Sequence, residues 1–357
     1  MTRLASSRLA WIAAAVSLGV GVTRGLVPTT DFTRVMQWVQ ELLAGRSPYR
    51  PDWLADYPPW AILTLAPLGS LPDSWQLPVW VVINVGLACW LAWAISRDTS
   101  KDGSGDGLVI ALLLCASCFR VLNQFSLLSM ALAWAGVRQR SPWIGGVLLG
   151  VSLMKPQVGG VFLVAHLLMG DWRRVSIAMA VPVGMTAVVT WMLGLSPVEL
   201  LEQAAQQLVV AQGSVMSPAG HTELRAWVMA FWPEARSLWF AAVVGVLLGL
   251  PAFRRVWREG AKSDMATRMA LYGFLGAVSL LSVRHLSYDF VLLLPLLASW
   301  RDRPAFWALW LPLVLQVPGW WRQVLEPLGA PAAFAILVEA DRILALTVWA
   351  VLRRSPK

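Results

Sequence analysis

Charge is scarce in this chain: 14% of its 357 residues are Asp, Glu, Lys or Arg, against 57% hydrophobic. A soluble chain of this length cannot hide so much apolar surface, so lipid must solvate most of it. The charges sum to a formal +9, yet no basic patch with interleaved aromatics lies on a soluble segment, which argues against nucleic-acid binding. Cysteine is scarcer still. Cys89, Cys115 and Cys118 all lie inside apolar runs, so no disulfide framework is implied. The Cys115-x-x-Cys118 spacing lacks a second pair or a His partner, and packing is the role that remains. A Gly-rich phosphate loop is missing, and with it a nucleotide pocket. Internal repeats of transporter type and low-complexity tracts are missing too; residues 101–107 form a plain cytoplasmic linker.

What the sequence does contain is a series of apolar runs, at about 9–27, 76–96, 108–122, 125–137, 142–154, 157–169, 175–195, 236–252, 267–283, 290–300, 305–317 and 331–351. These predict an all-α polytopic membrane protein of about 12 transmembrane helices, forming one domain over 1–357. Several runs are shorter than the ~20 residues that cross a bilayer upright. Short pairs flank Arg120 to Gln124 and Lys155-Pro156-Gln157, and such breaks are tolerated at membrane depth only inside protein or beside a wet cavity. The basic N-terminus resembles a signal peptide, but no small-x-small site ends it, so it reads as an uncleaved first span. With both termini cytoplasmic, the inner segments hold 18 of 29 basic and 7 of 20 acidic residues, as the positive-inside rule requires.

Two extracytoplasmic loops are large, 28–75 and 196–235. In the first, Phe32, Val35, Met36, Val39, Leu42 and Leu43 recur at helical spacing, which predicts an amphipathic helix lying in the membrane interface. Gly45 closes it, and Pro58-Pro59 starts a short helix over 60–68. The second loop carries one helical stretch and then a Gly/Ser/Pro break.

The polar residues of interest fall on one side of this predicted membrane. Asp31 stands at the head of the interfacial helix, as a catalytic carboxylate or as a helix N-cap or first-turn residue. Asp52, Asp56 and Asp73 suit loop or cap roles. Lys155 joins two short apolar helices, either facing an anion or snorkelling to the headgroups. Arg284 suits a bidentate phosphate contact and His285 an orienting or proton-transfer role. The competing reading is a buried network in which Asp289 neutralises Arg284. Asn123 and Gln124, with Arg120, form a further polar knot. His166 and His221 suit packing and solvated-loop roles.

These residues also carry a family resemblance. The matching pieces are Asp31-Phe32, Gly45-Arg-Ser-Pro48-Tyr49, Tyr57-Pro-Pro59 with Ala66-Pro67-Leu68, Asn123-Gln124, Gly150-Val-Ser-Leu-Met-Lys155-Pro156, and Ser282 to Pro295. In that order they resemble the membrane glycosyltransferases of GT-C type, and more closely glycosyltransferase family 87. The resemblance implies a polyprenyl-phosphate-mannose-dependent α-mannosyltransferase of the plasma membrane, acting on a lipid or glycan acceptor at the extracytoplasmic face. It implies Asp31 as the catalytic carboxylate, the general base, and the chemistry of the residues adds His285 as an auxiliary. Lys155 and Arg284 would hold the donor phosphate. Tyr57, Asn123, Gln124 and Asp289 are candidate acceptor or sugar contacts. No cofactor or metal is called for. The alternatives are a 12-span transporter or lipid carrier, which would show internal symmetry, and a non-catalytic envelope-assembly subunit.

Overall fold

Proline and small polar residues set where the helices begin. Pro59, Pro142 and Pro156 each occupy the first turn of a helix, where a missing N–H breaks no intrahelical bond. Thr29, Asp106, Ser141 and Asp171 cap helices through their side chains, satisfying backbone donors that the first turn leaves open.

The computed structural model describes residues 2–50, 55–100, 105–120, 122–213, 265–282 and 287–299, with a few positions between 243 and 250. Asp52, His221, Arg284, His285, Trp320-Trp321, the second large loop beyond 213 and the expected spans at 305–317 and 331–351 lie outside the described residues. In order, the elements are α1 (Thr2–Gly25), α2 (Thr30–Leu43), α3 (Pro59–Thr64), α4 (Ala66–Gly69), α5 (Asp73–Thr99) and α6 (Gly107–Leu114). A 3-10 turn at Ser117–Arg120 leads to α7 (Ser126–Arg138), α8 (Pro142–Ser152), α9 (Pro156–Leu168), α10 (Trp172–Leu193) and α11 (Pro197–Gly213). Then come α12 (Met265–Ser282), a 3-10 segment at Ser287–Leu293 and α13 (Leu294–Ser299). Every regular element among the described residues is helical.

Two described helices, α5 with 27 residues and α10 with 22, are long and apolar enough to cross a membrane; α1 and α2 together qualify as a broken third span. At 1.5 Å per residue α10 is about 33 Å long, close to the ~30 Å hydrocarbon core. Trp172 and Trp191, 65% and 83% exposed, mark its two ends as an aromatic belt would. Other expected spans are shorter helices. The run at 108–122 is the eight-residue α6 followed by a 3-10 turn, and the run at 290–300 is a 3-10 segment ending in the six-residue α13.

The described residues fall into two compact units. One draws on Met1–Gly21, Ala88–Val121 and the segments after 218. In it, α12 packs on α13 so closely that a Cβ at Gly273 would stand 2.4 Å from the Leu296 Cβ. Cys115 and Cys118 are buried there, outside any disulfide, beside the fully buried Phe119.

The other unit comprises Val22–Leu87 and Leu122–Ser217. Its α8 approaches α10 through glycine: a Cβ at Gly146 would meet the Ile177 Cβ at 2.7 Å, and one at Gly150 the Ala178 carbonyl at 2.6 Å. Small residues at helix contacts are the usual means of close packing where lipid is the solvent. The core of this unit gathers on α2, where Phe32, Val35, Met36, Val39 and Leu42 are buried as the spacing predicts, joined by Trp38. Two details differ from the sequence reading. Leu43 is 42% exposed. The apolar face of α2 is covered by protein, by Ile62 of α3, Leu68 of α4 and Leu65 between them, and by Trp80 and Phe125, rather than left for lipid. A Cβ at Gly69 would lie 2.3 Å from Val39, which shows how closely α4 seats on it. Gly45, at φ +70°, ends α2. Arg46 N–H donates to the Glu41 carbonyl and Gly45 N–H to that of Leu42, the paired closure of a Schellman motif.

Candidate active site

The site is built around a four-residue strap, Asn123 to Ser126, that leads into α7 in the second unit. Its first member, Asn123, is 2% exposed and donates from Nδ2 to the Val27 carbonyl at 3.3 Å, fixing the exit from α1. Its Oδ1 is buried without a hydrogen-bond partner among the described residues. Gln124, 6% exposed, donates from Nε2 to Asp31 Oδ2 at 3.4 Å. Phe125 is fully buried and meets three aromatic rings: Phe32 stacked at 6.2 Å, Tyr57 edge-on at 5.9 Å and Trp80 tilted at 4.9 Å. Ser126 Oγ accepts from Lys155 Nζ.

Asp31 is not the cap of α2. Thr29 takes that role, accepting from Phe32 N–H at 3.3 Å, and Asp31 occupies the first turn, where the helix dipole favours a carboxylate. The side chain is exposed. One oxygen is held by Gln124 and the other makes no hydrogen bond among the described residues. An exposed carboxylate with one oxygen anchored and one open has the form a general base needs.

Lys155 is 3% exposed and turned to Ser126, so it does not extend to the surface as a snorkelling lysine does. It is the residue before α9, and Pro156 at the first turn enforces the break from α8. Neither α7 nor α9 has a side-chain cap at its start. The contact of Lys155 with Ser126 thus joins the first residue of α7 to the residue that precedes α9. Trp60 Nε1 donates to the Leu153 carbonyl at 2.9 Å, tying the short helix α3 to the segment that delivers Lys155.

Tyr57 sits half-buried against Phe125 and Trp38. Its carbonyl accepts from the Tyr49 hydroxyl at 2.8 Å, and burial pushes the Tyr49 phenol well above its usual range. The loop is braced by Glu41. Arg46 contacts both of its oxygens at 2.6 and 2.7 Å and Arg50 adds a third contact at 3.3 Å. The hydrogen bond from Arg46 holds the Glu41 carboxyl below the usual range. Asp73 accepts from Gln40 and Gln76, and Asp56 is exposed; both are loop and cap residues.

The structure thus brings Asp31, Gln124, Asn123, Tyr57 and Lys155 to one strap and its neighbours. Asp289, 1% exposed, belongs to the other unit. His166 is buried away from the strap, 3.2 Å from Asp171. Sequence reasoning missed Phe125 and Ser126, although both adjoin the Asn-Gln pair that drew attention.

No curated protein and no solved structure matches the chain. Residues 53–283 match glycosyltransferase family 87, a stretch that includes Tyr57, Asn123, Gln124 and Lys155 and leaves Asp31, Arg284, His285 and Asp289 outside it. The match covers well over half of the chain, which therefore belongs to glycosyltransferase family 87 and is a membrane glycosyltransferase.

Proposed function

We propose that the chain transfers a sugar, mannose in the first instance, from a polyprenyl-phosphate sugar to a lipid or glycan acceptor at the extracytoplasmic face of the plasma membrane. The observation that carries this reading is the tie of Asp31 and Lys155 to one strap, through residues two positions apart. Two residues of extended chain span at most about 7 Å between Cα atoms, so a carboxylate and a buried ammonium are attached close together. In the reaction, the acceptor hydroxyl gives its proton to the open oxygen of Asp31. Its oxygen forms the new bond to the anomeric carbon as the bond to the phosphate oxygen breaks on the opposite side. The phosphate leaves with the electron pair, its charge met by Lys155 and by Arg284, with His285 assisting. One displacement inverts the anomeric centre, and the charge stabilisation that a metal would offer is supplied by the cations.

The test is transfer from radiolabelled polyprenyl-phosphate mannose in membranes carrying Asp31→Asn. Loss of a general base costs about 10²- to 10⁴-fold in rate; wild-type transfer by the variant removes Asp31 from that role.

A further inference from the structure

Resting on that reading, we propose that Gln124 and Ser126 are positioning residues: Gln124 orients Asp31, Ser126 orients Lys155, and the strap sets one group relative to the other. The Gln124 amide, nine-tenths buried, is itself held in place by its neighbours. Asn123 is anchored to Val27 on one side, and Phe125 is locked among Phe32, Tyr57 and Trp80 on the other. An amide N–H on Asp31 Oδ2 fixes the carboxylate's rotation and leaves the other oxygen to meet a hydroxyl. Two positions on, the Ser126 hydroxyl accepts a proton from the Lys155 ammonium, which fixes the direction in which that cation is held. Neither residue needs to touch substrate. This departs from a sugar-contact role for Gln124.

The two roles separate kinetically. Gln124→Leu keeps the volume and removes the donor. Displacing a catalytic group by about 1 Å costs up to about 100-fold, so kcat should fall about tenfold, with the donor KM within about twofold. Ser126→Ala should instead raise the donor KM about fivefold with kcat largely kept, because it loosens a binding group present before and during transfer, and Ser126→Thr should restore it. In the Asp31→Asn background Gln124→Leu should cost nothing further. A raised donor KM in Gln124→Leu with kcat unchanged would mark a sugar contact and overturn the proposal, as would equal losses on both backgrounds.

A second measurement needs no turnover. In a double-mutant cycle of melting temperature, the lowering caused by Gln124→Leu should disappear in Asp31→Ala, and that of Ser126→Ala in Lys155→Met. Strictly additive melting shifts overturn the strap. If the wild type fails to use the donor while the cycles couple, the transfer reading fails and the strap stands.

Discussion

Phe125 offers the most direct test of how this site is held. It is fully buried and touches three aromatic rings. Phe119 is also fully buried, yet has no aromatic partner among the described residues. Replacing each by Leu removes similar volume and a similar amount of apolar surface, so the transfer and cavity costs are comparable. What differs is ring geometry. An aromatic pair contributes about 0.5–1.5 kcal/mol beyond area burial, so three pairs amount to about 1.5–4.5 kcal/mol. Phe125→Leu should therefore lower the melting temperature in detergent clearly more than Phe119→Leu. It should also depress transfer in the protein that remains folded, because the same ring seats Gln124 and Ser126. If Phe125→Leu melts no earlier than Phe119→Leu, the ring contacts do not hold the strap, and this account of the site fails.

Other expectations follow from single contacts. Gly150→Val should abolish the folded peak in size-exclusion chromatography, since its Cβ would meet the Ala178 carbonyl at 2.6 Å, whereas Gly184→Ala, with nothing within 4 Å, should be neutral or stabilising by about 0.5–1 kcal/mol. Glu41 has its carboxyl lowered by the hydrogen bond from Arg46. A lowered folded value gives stability that is present above the unfolded value near 4.5 and is lost as pH falls through the folded one. The melting difference between wild type and Glu41→Gln should accordingly be seen at pH 7 and vanish on acidification below that range. Lys155→Met replaces a buried charge by an apolar chain of similar length, so melting should hold or rise. Its donor KM should rise at least about tenfold, since phosphate contacts made by a charged group are worth about 1.5–3 kcal/mol; an unchanged KM would show that the ammonium meets no phosphate.

Much of the helical layout was legible because its signals are local. Pro59, Pro142 and Pro156 begin helices in the structure as their fixed φ dictates, and the 3.6-residue spacing from Phe32 to Leu42 named the buried face of α2. The break at Lys155 was readable from the proline that follows it. Local pattern could not choose between Thr29 and Asp31 as the cap of α2, because both residue types cap helices and they stand two positions apart. It also placed Leu43 on the buried face and passed over Trp38, a difference that depends on which neighbours arrive. Arg284 and His285 remain sequence assignments.

By itself the sequence determined that this is a helical membrane chain, where most of the described helices begin, and which polar residues stand out against the apolar background. Each of those properties depends on composition or on residues a few positions apart. Only the tertiary structure decided which polar residues meet. Gln124 reaches Asp31 across 93 positions and Ser126 reaches Lys155 across 29, and no periodicity carries information over such separations. The cover of α2 was decided in the same way. An apolar helix face satisfies lipid and protein equally well in sequence terms, and it is the arrival of Phe125 beside Phe32 that makes this one part of the protein core.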